Sequence, residues 1–268
     1  MILAIDAGNT NINFAVLNPQ GKVIRNFRKM TEGNASSDDY YVWIKPLLDA
    51  INIPIEILQG AVLCSVVPKA TYHLQNFCRK YLGLEAYTVS SENLDVGLQV
   101  NMDNPSEVGG DRLMAALGAL GKYDSDILVI DFGTATTIDV ALKSGSYEGG
   151  IIAPGINLSL AAMDRATAKL PPVEIVQCQK VIGKNTIHAM QSGIYWGYVS
   201  MIEGLIERIK AELSLKSVKV IATGGMASLI ASGVKQIDVV EHHLVLEGLF
   251  VFYIHNLAKH SHLLHQKA

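Results

Sequence analysis

The sequence predicts an α/β fold made of two duplicated halves with a cleft between them, and three observations carry that reading. First, an apolar run ending in Asp-x-Gly, Leu3-Ala4-Ile5-Asp6-Ala7-Gly8, returns as Leu128-Val129-Ile130-Asp131-Phe132-Gly133. Second, small hydrogen-bonding side chains follow both copies (Asn9, Thr10 and Asn11; Thr134, Thr136 and Thr137), and then a second apolar run. Each copy therefore reads as a β-hairpin with polar groups at its turn. Asp6 to Asp131 and Gly8 to Gly133 are the same step of 125 residues, as a duplication requires. Third, β-branched runs alternate with segments of helical spacing along the chain.

Each turn suits phosphate. Glycine lets an oxygen approach the main chain, and successive backbone N–H groups form an anion-binding concavity. The Asp at the strand end repels phosphate, so its natural task is to hold a cation that neutralises it. Composition excludes several other classes. The 268 residues are 49% apolar and 18% charged, enough for one large or two medium cores. A net charge of −3 gives no basic surplus, so no nucleic-acid partner is expected. No apolar run reaches the roughly 20 residues of a membrane helix, and no signal peptide is expected. Cys64, Cys78 and Cys178 are scattered, which fits a reducing, cytoplasmic setting.

The remaining elements follow in order. Gly21–Arg28 reads as a third strand. Ser36-Ser37-Asp38-Asp39 is a helix start, with Tyr41, Ile44, Leu47 and Leu48 as the apolar positions behind it. Ala61–Val67 is a buried strand, Pro68 opens a helix to about Tyr81, and Tyr87–Val89 is a short strand. An irregular loop, Asn101 to Arg112, delivers Gly109-Gly110-Asp111-Arg112 to the start of a helix over Leu113–Leu120. Asp111 there is either an N-cap or functional. Arg112 opposes the helix dipole, and a guanidinium suits a carboxylate. Residues 146–155 read as a glycine pair, a short apolar run and a Pro-Gly turn. Helices are expected over Leu158–Ala168, Ile187–Leu213, Met226–Ala231 and His242–Lys259, with a strand at Lys219–Thr223. Gly193 and Gly197 on the longest helix allow another backbone to pack closely. No phosphate-cradling Gly-x-x-x-x-Gly-Lys loop or dinucleotide Gly-x-Gly-x-x-Gly turn occurs.

Paired Asp-x-Gly hairpins with a later Thr-Gly-Gly resemble the superfamily of actin and the sugar kinases, which implies two actin-like, ribonuclease H-like domains around a nucleotide cleft. Within it, six ordered motifs resemble type III pantothenate kinases. They are Asp6–Asn11, Asn104–Arg112, Asp131–Thr137, Gly149–Gly155, Ile182–Thr186 and Ala222–Gly225. The resemblance implies ATP-dependent phosphorylation of pantothenate, Mg²⁺ with K⁺ or NH₄⁺, a homodimer, and domains over 1–115 and 116–268. It implies that Asp6, Ala7, Gly8, Asn9, Thr10, Asn11, Ile12, Asn13 and Thr134 hold ATP, with Asp6 near Mg²⁺. Gly109, Gly110, Asp111 and Arg112 would hold pantothenate, with Asp111 as the base that takes its hydroxyl proton. Thr186 would reach pantothenate across the dimer interface, and Asp131 would bind the monovalent cation. This logic suits phosphoryl transfer, which needs positioning, charge neutralisation and a proton acceptor. The chain departs from the pattern at Gly110, usually Ala, and at Met102, usually Tyr.

Other features have plainer readings. His255, His260, His262 and His265 read as a solvated tail rather than a metal site. Tyr195, Trp196 and Tyr198 read as core or dimer packing. Two rivals to the kinase reading are a nucleotide-dependent regulator, such as a transcription accessory factor, and a kinase for another small alcohol.

Overall fold

The computed structural model describes residues 1–90, 95–166 and 171–265, of which residues 164, 166 and 260–265 are described by their backbone alone. In chain order the elements are β1 (Ile2–Ala7), β2 (Asn11–Leu17), β3 (Val23–Met30), α1 (Ser37–Asp49), β4 (Gly60–Ser65), α2 (Pro68–Phe77), β5 (Ala86–Val89) and β6 (Gln99–Val100). They continue with α3 (Gly110–Lys122), β7 (Asp126–Phe132), β8 (Ala135–Leu142), β9 (Ser146–Pro154), α4 (Ile156–Ala166) and α5 (Thr186–Glu212). The series ends with β10 (Val218–Thr223), α6 (Ala227–Ala231), β11 (Val239–Val240) and α7 (Leu244–His265). No helix among the described residues is long and apolar enough to cross a membrane.

The chain forms two compact units, one of residues 1–122 with 243–268 and one of residues 123–242. This corrects the division expected at 115/116. Helix α7 follows the whole of the second unit in the chain yet packs on α3 of the first. The physical reason is backbone-to-backbone contact: a Cβ on Gly248 would overlap the Met114 carbonyl oxygen, and one on Gly118 the Leu244 carbonyl oxygen. Two helices approach this closely only through glycine.

In the first unit the strand order is β3-β2-β1-β4-β5. Strands β1, β2 and β3 form an antiparallel meander, and β4 and β5 run parallel to β1. Leu3, Ile5, Phe14 and Val16 bury one face of this sheet against α1 and α2. The capping box at Ser36 and Asp39 starts α1 as its sequence predicts. The helix buries Tyr40, Ile44 and Leu48, a strict four-residue step, and leaves Tyr41 and Leu47 at the edge of the core. Pro68 stands in the first turn of α2. That helix ends at Phe77, short of the expected Tyr81. A π-type turn over 78–82 follows and closes on Gly83 in the left-handed conformation.

In the second unit five strands lie in the order β9-β8-β7-β10-β11. Here too the first three are antiparallel and the other two run parallel to β7. The duplication is thus complete, strand for strand. Its core sets Leu128, Ile130, Phe132, Ile138 and Val140 against α5, where Tyr195 and Tyr198 are core residues and Trp196 packs at the edge. Residues 146–154, within the stretch read as a glycine pair, a short apolar run and a Pro-Gly turn, form strand β9. Gly149, at φ +93°, lies beside the bulge at Val140/Ala141.

The two hairpins differ in one respect. Ala7 pairs with Ile12 across four intervening residues, whereas Phe132 pairs with Thr136 across three. Beyond the turn the repeat step is therefore one residue shorter. With that adjustment the bulge at Val16/Leu17 falls on the bulge at Val140/Ala141.

Candidate active site

In the first unit, β1 carries Asp6 to its penultimate position, opposite Asn13 on β2, and Asn13 Nδ2 donates a hydrogen bond of 3.2 Å to Asp6 Oδ2. The turn between the strands is held by its own backbone, Gly8 N–H to Asn11 O at 3.0 Å. Thr31, just past β3, holds it as well. Its hydroxyl donates to the Gly8 carbonyl at 2.7 Å and its N–H to the Thr10 carbonyl at 3.0 Å. Sequence reasoning missed Thr31, because only the register of β2 on β3 brings it back to the turn. Of the expected run Asp6 to Asn13, Ala7 and Ile12 turn their side chains into the core and offer only backbone. Asn9 and Thr10 are exposed.

Helix α3 starts at Gly110, three residues before the expected Leu113, so Gly110, Asp111 and Arg112 form its first turn. Gly109 O accepts from the N–H groups of Arg112 and Leu113 at 3.1 and 3.3 Å. Asp111 therefore stands inside the first turn rather than at the cap. Its Oδ1 accepts the Arg112 N–H at 2.9 Å, and its negative charge suits the helix N-terminus. This turn brings Asp111 to Asp6. Burial first, and then the charge of Asp111, push the Asp6 carboxyl from 3.8 up to about 6, against the lowering effect of Asn13. Two half-buried carboxylates thus act on one another within one unit.

A third group faces them. Cys64 on β4 is the parallel partner of Asp6 and is buried. Burial and the charges of Asp6 and Asp111 raise its thiol well above the usual range. A Cβ on Gly110 would stand 2.9 Å from Cys64 Sγ and 3.0 Å from Val89 Cγ1. That closeness gives a physical reason for glycine at this position. The sequence signal for Cys64 was present in the expected parallel strand, but the register was not.

In the second unit, Asp131 is the penultimate residue of β7, opposite Thr137. The Thr223-Gly224-Gly225 turn packs directly on it. Gly224 has φ +92°, and any Cβ there would overlap Asp131 Oδ1 and the Phe132 backbone. Thr134 is exposed in the turn between β7 and β8, which Gly133 N–H closes on the Ala135 carbonyl at 3.1 Å. Thr136 faces the core at 1% exposure, and among the described residues its hydroxyl has no hydrogen-bond partner. It is therefore not one of the turn's donors. Thr137 instead donates to Asp139 at 3.0 Å, and the Tyr147 hydroxyl reaches the other oxygen of Asp139 at 2.6 Å. Thr186 is the exposed first residue of α5, beside its capping residue Asn185, and belongs to neither hairpin.

Among the described residues no group of three or more His, Cys, Asp and Glu could hold a metal ion. His255 is not in a free tail: it lies on α7 and its Nε2 is 3.2 Å from Asp95 Oδ1, with Lys259 on the other Asp95 oxygen. The side chains of His260, His262 and His265 lie outside the described residues.

Comparison with known proteins agrees with the motifs. The family model described as type III pantothenate kinase matches residues 2–208. The chain is 49% identical over 258 residues to the type III pantothenate kinase of Acidiphilium cryptum, covering 96% of each chain. It is 44% identical to that of Phenylobacterium zucineum, over 97% of this chain and all of that one. Among solved structures, it resembles an activator of 2-hydroxyisocaproyl-CoA dehydratase from Clostridium difficile with bound ADPNP, at TM-score 0.56 and 11% identity over 97% of each chain. It also resembles a conserved candidate Baf family transcriptional activator from Campylobacter jejuni, at TM-score 0.59 and 19% identity over 96% of this chain and all of that one. At these identities the structural likenesses show the two-domain actin-like α/β fold and nothing finer.

Proposed function

The chain belongs to the type III pantothenate kinase family, and from that premise we propose which of its residues move phosphate from ATP to pantothenate. Its reaction is the ATP-dependent phosphorylation of pantothenate, the opening step of coenzyme A synthesis. The observation that carries the residue assignment is the meeting of Asp6 and Asp111, two half-buried carboxylates that the first hairpin and the start of α3 bring close enough for one to act on the other. A site for phosphate alone would avoid that much negative charge. A site that must hold a divalent cation and also accept a proton needs it.

In this proposal the turn from Asp6 to Asn13 holds ATP phosphates through backbone N–H groups and the side chains of Asn9, Thr10 and Asn11. Thr134 does the same from the second hairpin. Asn13 holds Asp6 in place, and the buried, raised carboxyl of Asp6 fits a hard cation that would relieve it. Mg²⁺ there would neutralise charge on the phosphates. Gly109 and Gly110 let the acceptor come close to the main chain, and Arg112 takes its carboxylate. Asp111 Oδ2 takes the proton of the hydroxyl under attack. Asp131, walled by Gly133 and Gly224, offers carboxylate oxygen beside the Phe132 carbonyl. That donor set fits K⁺ or NH₄⁺, which would add positive charge near the phosphates.

A homodimer is also proposed, with Thr186 reaching the acceptor held by a second copy. Support comes from α5, where Gly193 and Gly197 are exposed and nothing among the described residues approaches their Cβ positions. Ile152, Leu158, Ile182 and Ile187 are exposed in the same unit. A pure nucleotide switch would have no use for Asp111 beside Arg112. The regulator reading and the reading as a kinase for another alcohol are not favoured.

The direct test is mass-spectrometric detection of phosphopantothenate from purified protein, ATP, Mg²⁺ and pantothenate, with either K⁺ or Na⁺ present. Product that needs K⁺ supports both the acceptor and the cation. Equal rates with Na⁺ remove the cation role of Asp131. Sedimentation of the same sample reports whether it is a dimer.

A further inference from the structure

We propose that Cys64 and Gly110 form a size-matched pair that seats the first turn of α3 on β4 and so sets how close Asp111 stands to Asp6. Cys64 is thus a positioning residue for the base, with no chemical step of its own. The inference rests on the assignment of Asp111 as that base. Three observations meet here. Strand β4 pairs in parallel with β1 so that Cys64 lies beside Asp6. The space for a Cβ on Gly110 is closed by Cys64 Sγ at 2.9 Å and by Val89 Cγ1 at 3.0 Å, on two neighbouring strands of the same sheet. Both of those side chains are buried, with Cys64 at 1% and Val89 at 6% exposure.

Real Cβ atoms essentially never stand under 3.0 Å from another heavy atom, so a Cβ there would force Sγ or the turn to shift, and a buried, close-packed sulfur resists that. With Sγ and Val89 Cγ1 in these places, the first turn of α3 sits at a depth that a Cβ on Gly110 would not permit. Asp111 is the next residue, so any displacement of Gly110 displaces the carboxylate with it. A shift of about 1 Å in a reacting group can cost on the order of 10²-fold in rate. The thiol is suited to this post. It is small and apolar, and it adds no third charge where burial and two acids already keep it protonated.

The test is a kinetic cycle on full-length protein, with phosphopantothenate formation as the readout. Gly110→Ala should lower kcat by about tenfold or more, with KM for ATP within about twofold of the parent. Cys64→Ala should lower kcat by about threefold, because the seat loses its stop. Cys64→Ala with Gly110→Ala should recover kcat to within about threefold of the Cys64→Ala single variant. A Gly110→Ala protein that fails to accumulate, beside a double variant that is soluble and active, counts as the same rescue. Parental kcat in Gly110→Ala overturns the inference, as does a double variant no faster than Gly110→Ala. If neither glycine variant can be purified, Cys64→Ala decides alone, and a parental kcat overturns it. Asp111→Asn is run beside them. If it keeps turnover, the base assignment falls; if it is inactive and rescue fails, only the seating inference falls.

Discussion

At the scale of single residues, the site is governed by what it costs to bring two acids together. Asp6 loses solvent and lies within reach of the Asp111 charge, and the cost appears in the raised carboxyl of Asp6. If Asp111 is the base, Asp111→Asn should lose about 10²-fold or more in kcat while retaining ATP affinity, as steady-state kinetics and calorimetry would report. Unchanged turnover would remove it from the mechanism. Asp6 gives a prediction about stability. Its native value, about 6, lies above the unfolded value of 3.8, so the folded state keeps a proton that the unfolded chain has lost. Its contribution is fully present below pH 3.8 and disappears as pH rises through 6. Asp6→Asn should therefore make the metal-free protein more stable by about 1–3 kcal/mol at pH 8, an advantage that shrinks toward pH 4, while abolishing activity. Thermal unfolding across that range checks it, and an advantage independent of pH would contradict the assigned cause. Asp6, Asp111 and Asp131 were legible as residue types at strand and helix ends. Cys64, Thr31 and Asp139 were not, because each reaches its place through a pairing between strands.

At the scale of elements, the hairpins were the most legible part, since an apolar run, an acid and a glycine recur together. The start of α1 was legible too, because a capping box is written within four residues. Strand β9 was not. Gly149-Gly150 reads as a turn by composition, yet it lies in a strand that bulges against β8. The first turn of α3 was likewise hidden, since Gly-Gly-Asp resembles a loop until Cys64 and Val89 are seen to demand the glycine. Contact between α3 and α7 gives the sharpest element-level prediction. Gly248→Ala places a methyl on the Met114 carbonyl of a neighbouring helix, where neither backbone can yield. It should cost about 3 kcal/mol, read as a lower denaturant midpoint with an unchanged slope. A loss under about 0.5 kcal/mol would show that the helices can separate at little cost.

At the scale of the whole molecule, duplication is what the sequence announces and the crossing-back of α7 is what it conceals. Two sheets of matching topology follow from two matching hairpins, and the shared step survives a one-residue difference in the turns. Nothing local marks α7 for the first unit, because its apolar face would suit either core. Leu244, Leu246, Leu249, Phe252 and Tyr253 are all buried on it. At about 1.5–3 kcal/mol per buried apolar side chain, their loss rivals the 5–15 kcal/mol that holds a typical domain folded. Protein ending at residue 242 should thus fail to fold its first unit. Circular dichroism and limited proteolysis would show this, and a cooperative melt matching that of the parent would refute it.

The second unit is in effect an insertion within the first, and that has a consequence for the birth of the chain. On the ribosome, the residues that carry Asp6 and Asp111 emerge early, but the helix that covers α3 emerges only after the entire second unit has been made. Domains usually complete themselves in the order of synthesis. Here the earlier half must wait, its α3 seam open to chaperones and to self-association. A chain cut short anywhere before α7 lacks the helix that closes this seam, so the first unit is completed last although its first residues are made first.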